Sequence, residues 1–167
     1  NDFNVPNFLT TPEPLIQKEF SRIMSLKDGT KKMSKSDPSD FSRINLTDNK
    51  QEISNKIKKA KTDPMSMPTE LKNLSVRPEA ENLLGIYSSL TNQNLEKSIN
   101  EFEGKNFSEF KERLSEILVE KIEPISVEIK KLLNDTKYLD DILLDGSNKA
   151  DKIASKKIKE IKQLVGF

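Results

Sequence analysis

Cysteine, histidine and tryptophan are absent from the 167-residue sequence. Without thiols or imidazoles the chain has no disulfide, no thiolate or histidine zinc site, no cysteine nucleophile and no histidine-based triad. A dominant charge is missing too: 28 Lys+Arg face 27 Asp+Glu, for a formal net charge of +1. Such a balance exerts no global pull on nucleic acid or on a membrane surface, so binding of that kind has to use a local patch. No apolar run reaches the roughly 18 residues of a membrane span. The opening Asn1-Asp2-Phe3-Asn4 contains neither an initiator methionine nor the basic and apolar regions of a signal peptide. We expect a cytoplasmic chain cut from something longer, with a length that suits one ordinary domain.

What remains is polar but patterned. Charged residues make up 33% and hydrophobic ones 34%, and the apolar positions recur at helical spacing, which reads as folded rather than disordered. Of the 28 basic residues 24 are Lys, whereas Ala occurs 4 times. Lysine is therefore partly a compositional default, and lysine clusters alone carry little weight.

Residues 1–47 are interrupted by Pro6, Pro12, Pro14 and Pro38 and keep no long 3.6-residue period. Ser21 to Leu26 predicts a short strand with Ile23 at its buried position. Lys27-Asp28-Gly29-Thr30 then reads as a turn into a mobile loop. From Asp48 onward the signals are helical. Asp48 with Gln51 predicts a helix start, and Ile53, Ile57 and Ala60 make one face. Residues 62–77, with Pro64 and Pro68, read as a connector. Pro78 suits a first helical turn ahead of Leu83, Leu84, Tyr87 and Leu90. A short helix from Leu95 buries Ile99 and Phe102 and stops at Gly104.

Asn106 and Glu109 form another capping pair. From Phe107 through Phe110, Leu114, Ile117 and Leu118 to Leu133, apolar residues keep three–four spacing for roughly seven turns, with Pro124 expected to bend the helix. Leu139, Ile142 and Leu143 predict a short helix ending at Asp145-Gly146. Ala150 to Val165 predict a last one ending at Gly166. No such stripe can be buried alone, so a mainly α fold follows, with the helices packed as a bundle.

One segment is not explained by burial: Lys32-Met33-Ser34-Lys35-Ser36, between Gly29-Thr30-Lys31 and Asp37-Pro38. At this composition the pentapeptide arises by chance roughly once in a thousand such chains. Two ammonium groups three residues apart, on a loop of small residues, can close over a polyphosphate, and hydroxyls and amides add further donors. Cations so placed stabilise charge on a departing pyrophosphate without any histidine or cysteine. A loop that closes and reopens has to be mobile, which Gly29 and the polar sequence allow.

The pentapeptide resembles the second signature of class I aminoacyl-tRNA synthetases, and its surroundings resemble the bacterial tryptophanyl branch. The similarity runs through Arg22-Ile23-Met24-Ser25-Leu26, Thr30 to Asp37, Lys56-Ile57 with Thr62-Asp63, and Asn82-Leu83-Leu84 with Ile86-Tyr87. It continues through Phe102-Glu103-Gly104-Lys105, Glu123-Pro124-Ile125, Lys149-Ala150 and Gly166-Phe167. The resemblance implies the C-terminal half of such an enzyme. Residues 1–47 would be the tail of the Rossmann-type catalytic domain with its KMSKS loop, and residues 48–167 the helical domain that contacts the anticodon region of tRNA. It also implies that Lys32 and Lys35 are catalytic, that Met33, Ser34 and Ser36 complete the ATP-binding loop, and that the backbone of Ile23 lies beside the adenine.

The implied reaction uses ATP and tryptophan, with Mg²⁺ carried on the phosphates and no protein ligand for a metal here, and tRNA(Trp) as acceptor. The complete enzyme is expected to be a homodimer and to have no membrane partner. The family's first signature contains two histidines, which this chain lacks, so the chain alone is expected to be inactive. A tyrosyl-type synthetase shares the fold and the loop and is the nearest alternative. A non-catalytic helical RNA-binding module is the alternative from a different class, and it leaves the loop unexplained.

Overall fold

The computed structural model describes residues 5, 8–16 and 21–167. The opening residues 1–4 and Pro6 lie outside these. The chain divides into two compact units, one of residues 16–130 and one formed by residues 1–15 with 131–167.

In the first of these units, strands β1 (Met24–Ser25) and β2 (Asp28–Lys32) form a two-stranded antiparallel hairpin, with Met24 opposite Lys32. A 3-10 turn at Asp40–Ser42 leads to helix α1 (Lys50–Lys59). Helices α2 (Pro78–Thr91) and α3 (Leu95–Phe102) follow, then α4 (Phe107–Leu133). The helical stripes meet in one core that includes Ile53, Ile57, Leu83, Leu84, Ile99 and Leu114. At its centre Tyr87, Phe102 and Phe110 pack edge to face or tilted, with ring centroids 4.9–5.9 Å apart, the arrangement that aromatic quadrupoles favour.

Several predicted boundaries hold for the predicted reasons. Pro78 opens α2, and Gly104 follows α3 at φ +70°, a conformation that costs glycine little. Asn106 and Glu109 cap α4 reciprocally: the Glu109 amide donates to Asn106 Oδ1 at 2.9 Å and the Asn106 amide to Glu109 Oε2 at 3.3 Å. Pro124 lies inside α4, which runs on to Leu133.

Three local expectations need correction. The cap of α1 is Asn49, not Asp48: Asn49 Oδ1 accepts the amides of Gln51 and Glu52, and the Glu52 carboxylate accepts the Asn49 amide at 2.7 Å. Asp48 is turned inward to a buried lysine. The buried apolar residue of the first strand region is Leu26 rather than Ile23, which is half-buried. Asp28–Lys32, read as a turn and the start of a loop, is instead strand β2, and the chain reverses at Leu26-Lys27.

In the other unit, helix α5 (Thr136–Val165) is continuous, whereas two helices broken at Gly146 were expected. Gly146 keeps a negative φ there. An interior glycine weakens a helix without ending it when no proline or left-handed turn follows. No residue of α5 is buried, and Ile142, Leu143, Leu144 and Ile153 are exposed. Its C-cap is Gly166 at φ +90°, as predicted.

Candidate nucleotide-binding loop

The hairpin carries the lysine loop. Lys32 is the last residue of β2, Met33 to Asp37 form the loop, and the Met33 amide donates back to the Ile23 carbonyl at 3.0 Å. Sequence reading placed Ile23 and Met33 ten residues apart in different elements, and the structure joins them. From Ser34 to Ser36 the hydrogen bonds among the described residues stay within the loop. The Ser34 and Ser36 hydroxyls lie 3.0 Å apart, and the Asp37 amide points at the Ser34 carbonyl at 3.4 Å.

Lys32, Ser34, Lys35 and Ser36 are exposed. Among the described residues neither Lys32 nor Lys35 makes an ion pair, whereas neighbouring Lys31 sits 3.4 Å from Asp28. That surface pair contributes little. The Thr30 hydroxyl and amide hold the Asp28 carboxyl down at about 2. Asp28 thus remains ionised beside the loop and fixes the strand's start through Thr30 at 2.6 and 3.0 Å.

The mount of the loop is more firmly built than the loop. Three backbone ties fix the hairpin: Leu26 donates to the Ser42 carbonyl at 2.9 Å, Lys61 donates to the Leu26 carbonyl at 2.7 Å, and Met33 reaches Ile23. Gly29 lies flat against the first turn of α2. A β-carbon there would stand 2.6 Å from the backbone of Pro78 and Glu79, closer than any side chain tolerates. The Lys61 ammonium meets the Glu79 carboxylate at 2.8 Å. Lys61 holds the Glu79 carboxyl below its ordinary range, against the opposing effect of burial.

On the outgoing side, Arg43 donates to the Asp37 carbonyl and to Asn45 Oδ1, each at 3.0 Å, and meets Asp40 at 3.1 Å. Behind it Lys56 is buried and paired at 2.6 Å with both Asp48 and Asp40. Lys56 also draws the Asp40 carboxyl below its ordinary range.

Sequence reasoning singled out the loop residues and missed their supports. Lys56 carried a signal: it lies three residues after Ile53 and beside Ile57, on the face that α1 buries. A cation there needs a buried carboxylate. Asn82 carried the same kind of signal, a carboxamide beside Leu83 and Leu84 in an apolar stripe. Arg43 and the close approach at Gly29 left no local trace.

A helical body with a small hairpin that presents two lysines, without an ion pair among the described residues, on a serine-rich loop makes a class of arrangement that can receive phosphate oxygens. The comparisons identify the class more sharply. Residues 1–122 match the family of class I tRNA synthetases (W and Y), and the chain belongs to that family. It is 46% identical to the tryptophan–tRNA ligase of Caulobacter vibrioides over 167 residues, which is 100% of this chain and 48% of that protein. To the tryptophan–tRNA ligase of Agrobacterium fabrum it is 51% identical over 155 residues, 93% of this chain and 44% of that one.

The crystal structure of tryptophanyl-tRNA synthetase from Mycoplasma pneumoniae superposes with a TM-score of 0.71 at 26% identity, over 90% of this chain and 45% of that one. The chain spans about half the length of the curated relatives it matches. The expected kinship with the bacterial tryptophanyl enzymes, and with their C-terminal half, is thereby met.

Proposed function

We propose that this chain is the C-terminal part of a tryptophan–tRNA ligase, in which residues 1–47 end the catalytic domain and residues 48–167 form the helical domain that contacts tRNA(Trp). The complete enzyme, a cytoplasmic homodimer in this reading, joins tryptophan to ATP and passes the tryptophanyl group to its tRNA. The observation that supports this most is the pair Lys32 and Lys35, exposed and, among the described residues, without carboxylate partners on a loop whose base is firmly held. An ammonium already neutralised by a neighbouring carboxylate would have less to offer a phosphate.

In the activation step the tryptophan carboxylate attacks the α-phosphorus, the bond from that phosphorus to the bridging oxygen breaks, and pyrophosphate leaves. Lys32 and Lys35 would approach the β- and γ-phosphate oxygens as negative charge builds on the leaving group. Ser34 and Ser36 would exchange their mutual contact for phosphate oxygens, and Met33 would keep the loop's first residue tied to Ile23, beside the adenine. Fixed cations in a site closed from water stabilise such a transition state more than the ground state. The loop's ammonium and amide donors suit phosphate oxygens, and in this reading Mg²⁺ would enter on the phosphates of ATP.

The test is ATP–pyrophosphate exchange by the full-length protein, run with tryptophan and separately with tyrosine. Tryptophan-dependent exchange is expected. Exchange with tyrosine alone would replace the substrate and keep the loop chemistry, and silence with both would remove the ligase reading. Lys32→Ala or Lys35→Ala is expected to slow adenylate formation by about 10²–10⁴-fold in rapid-quench measurements; an unchanged rate would deny the loop its role.

A further inference from the structure

The side chain of Asn82 spends all its hydrogen-bonding reach on one distant residue. Its Oδ1 accepts the Met24 amide at 2.8 Å and its Nδ2 donates to the Met24 carbonyl at 2.9 Å, across 58 residues of sequence. In an antiparallel ladder, successive residues turn their backbone groups to opposite edges. Ile23 turns its carbonyl towards β2, where Met33 takes it. Met24, opposite Lys32, therefore turns its amide and carbonyl outward, where a neighbouring strand would normally pair with them. Asn82 replaces that strand with a single carboxamide, buried in the second turn of α2.

The hairpin needs such a tether. Strand β1 is two residues long, and its register shifts between Met24 and Ser25. Two residues of ladder hold no orientation alone. Beside the backbone ties at Leu26 and Met33, β1 is held along its outer edge by Asn82, and β2 by the contact of Gly29 with Pro78 and Glu79, one turn earlier on the same helix. Both strands that carry the loop thus rest on the first two turns of α2.

We propose that Asn82 is a positioning residue for nucleotide binding. By holding both backbone groups of Met24 it sets the Ile23–Met24 strand where the adenine lies, and through the Met24–Lys32 pairing it sets the base of the lysine loop. The proposal rests on the reading of this loop as the ATP site. It adds that the nucleotide site is aimed by a side chain of the helical body whose oxygen and nitrogen are both engaged by the Met24 backbone. Asn82 acts before chemistry, on how ATP is received, so its loss weakens ATP binding and leaves tryptophan binding as it was.

The experiment is steady-state exchange in the full-length protein with Asn82→Asp. That change keeps the size and the acceptor for the Met24 amide, but sets a carboxylate oxygen against the Met24 carbonyl. Ser88→Ala is the control for lost stability. Ser88 is a buried hydroxyl of the same helix that donates to the Gln93 carbonyl at 2.6 Å, away from the hairpin.

The expected result is an ATP KM raised about 5–50-fold in Asn82→Asp, tryptophan KM within about twofold, and both constants unmoved in Ser88→Ala. An unchanged ATP KM in a folded Asn82→Asp protein overturns the proposal, and so does an equal rise in Ser88→Ala. If Asn82→Asp does not fold, Asn82→Ser, which removes both bonds without adding charge, is read by the same criteria. A wild-type protein silent with both amino acids removes the underlying ligase reading and this proposal with it. An active wild type with an indifferent Asn82 removes only the proposal.

Discussion

Tyr87 shows how one side chain can serve the core and still satisfy a polar atom. Its ring packs against Phe102 and Phe110, and its hydroxyl donates to Glu101 Oε1 at 2.7 Å. Burial, then the Glu101 carboxylate, pushes the phenol from 10.0 up to about 12. A phenol that is harder to ionise when folded stabilises the fold fully below the unfolded value. That stabilisation is lost as pH rises from about 10 towards about 12. Ultraviolet titration in a Tyr138→Phe background is expected to show the Tyr87 midpoint near 12 in the native protein, falling to near 10 in denaturant. A native midpoint near 10 would mean the ring is not sealed in. The apolar character of Tyr87 was legible from its helical spacing, whereas its Glu101 partner was not. Likewise Asp48 and Asn49 are both good caps on paper, and only the buried Lys56 decides between them by drawing Asp48 inward.

The elements differ in how far their own residues define them. Helices α2, α3 and α4 carry proline, glycine or capping signals at their starts or ends, and the chain follows these. Strand β2 has no alternating apolar residues. It is a strand because Met33 and Met24 engage other segments and because Gly29 fits the surface of α2, all long-range facts. Helix α5 passes through Gly146 for the opposite reason: a local breaker between Leu143-Leu144 and Lys149-Ala150 weakens the helix without a proline or left-handed turn to end it. Gly146 has a helical conformation, and no atom lies within 4 Å of where a β-carbon would stand. Gly146→Ala is therefore expected to stabilise α5 by about 0.5–1 kcal/mol, seen as a higher denaturation midpoint. Gly166→Ala, at φ +90°, is expected to lower it. Equal responses of the two would contradict the helix geometry.

At the scale of the molecule, a helical body holds a small hairpin, and the hairpin presents a loop with two cations that make no ion pair among the described residues. In the proposed reading that arrangement would supply one side of a phosphate site, and the relatives it resembles are about twice as long. The chain has no histidine with which to form the two-histidine first signature expected of the family. The 167-residue chain alone is accordingly expected to show no tryptophan-dependent exchange under conditions where the full-length protein does. Exchange by the chain alone would mean that its own residues complete the site.

The sequence by itself determined the helical class, most helix ends, the lysine loop and the kinship, because apolar period, caps and a rare pentapeptide are local properties that survive without coordinates. Tertiary structure decided what holds the loop in place. Asn82 on Met24, Gly29 on Pro78 and Lys56 between Asp48 and Asp40 join residues between 8 and 58 positions apart. Pairings of that kind depend on where the chain returns in space, which no local pattern encodes.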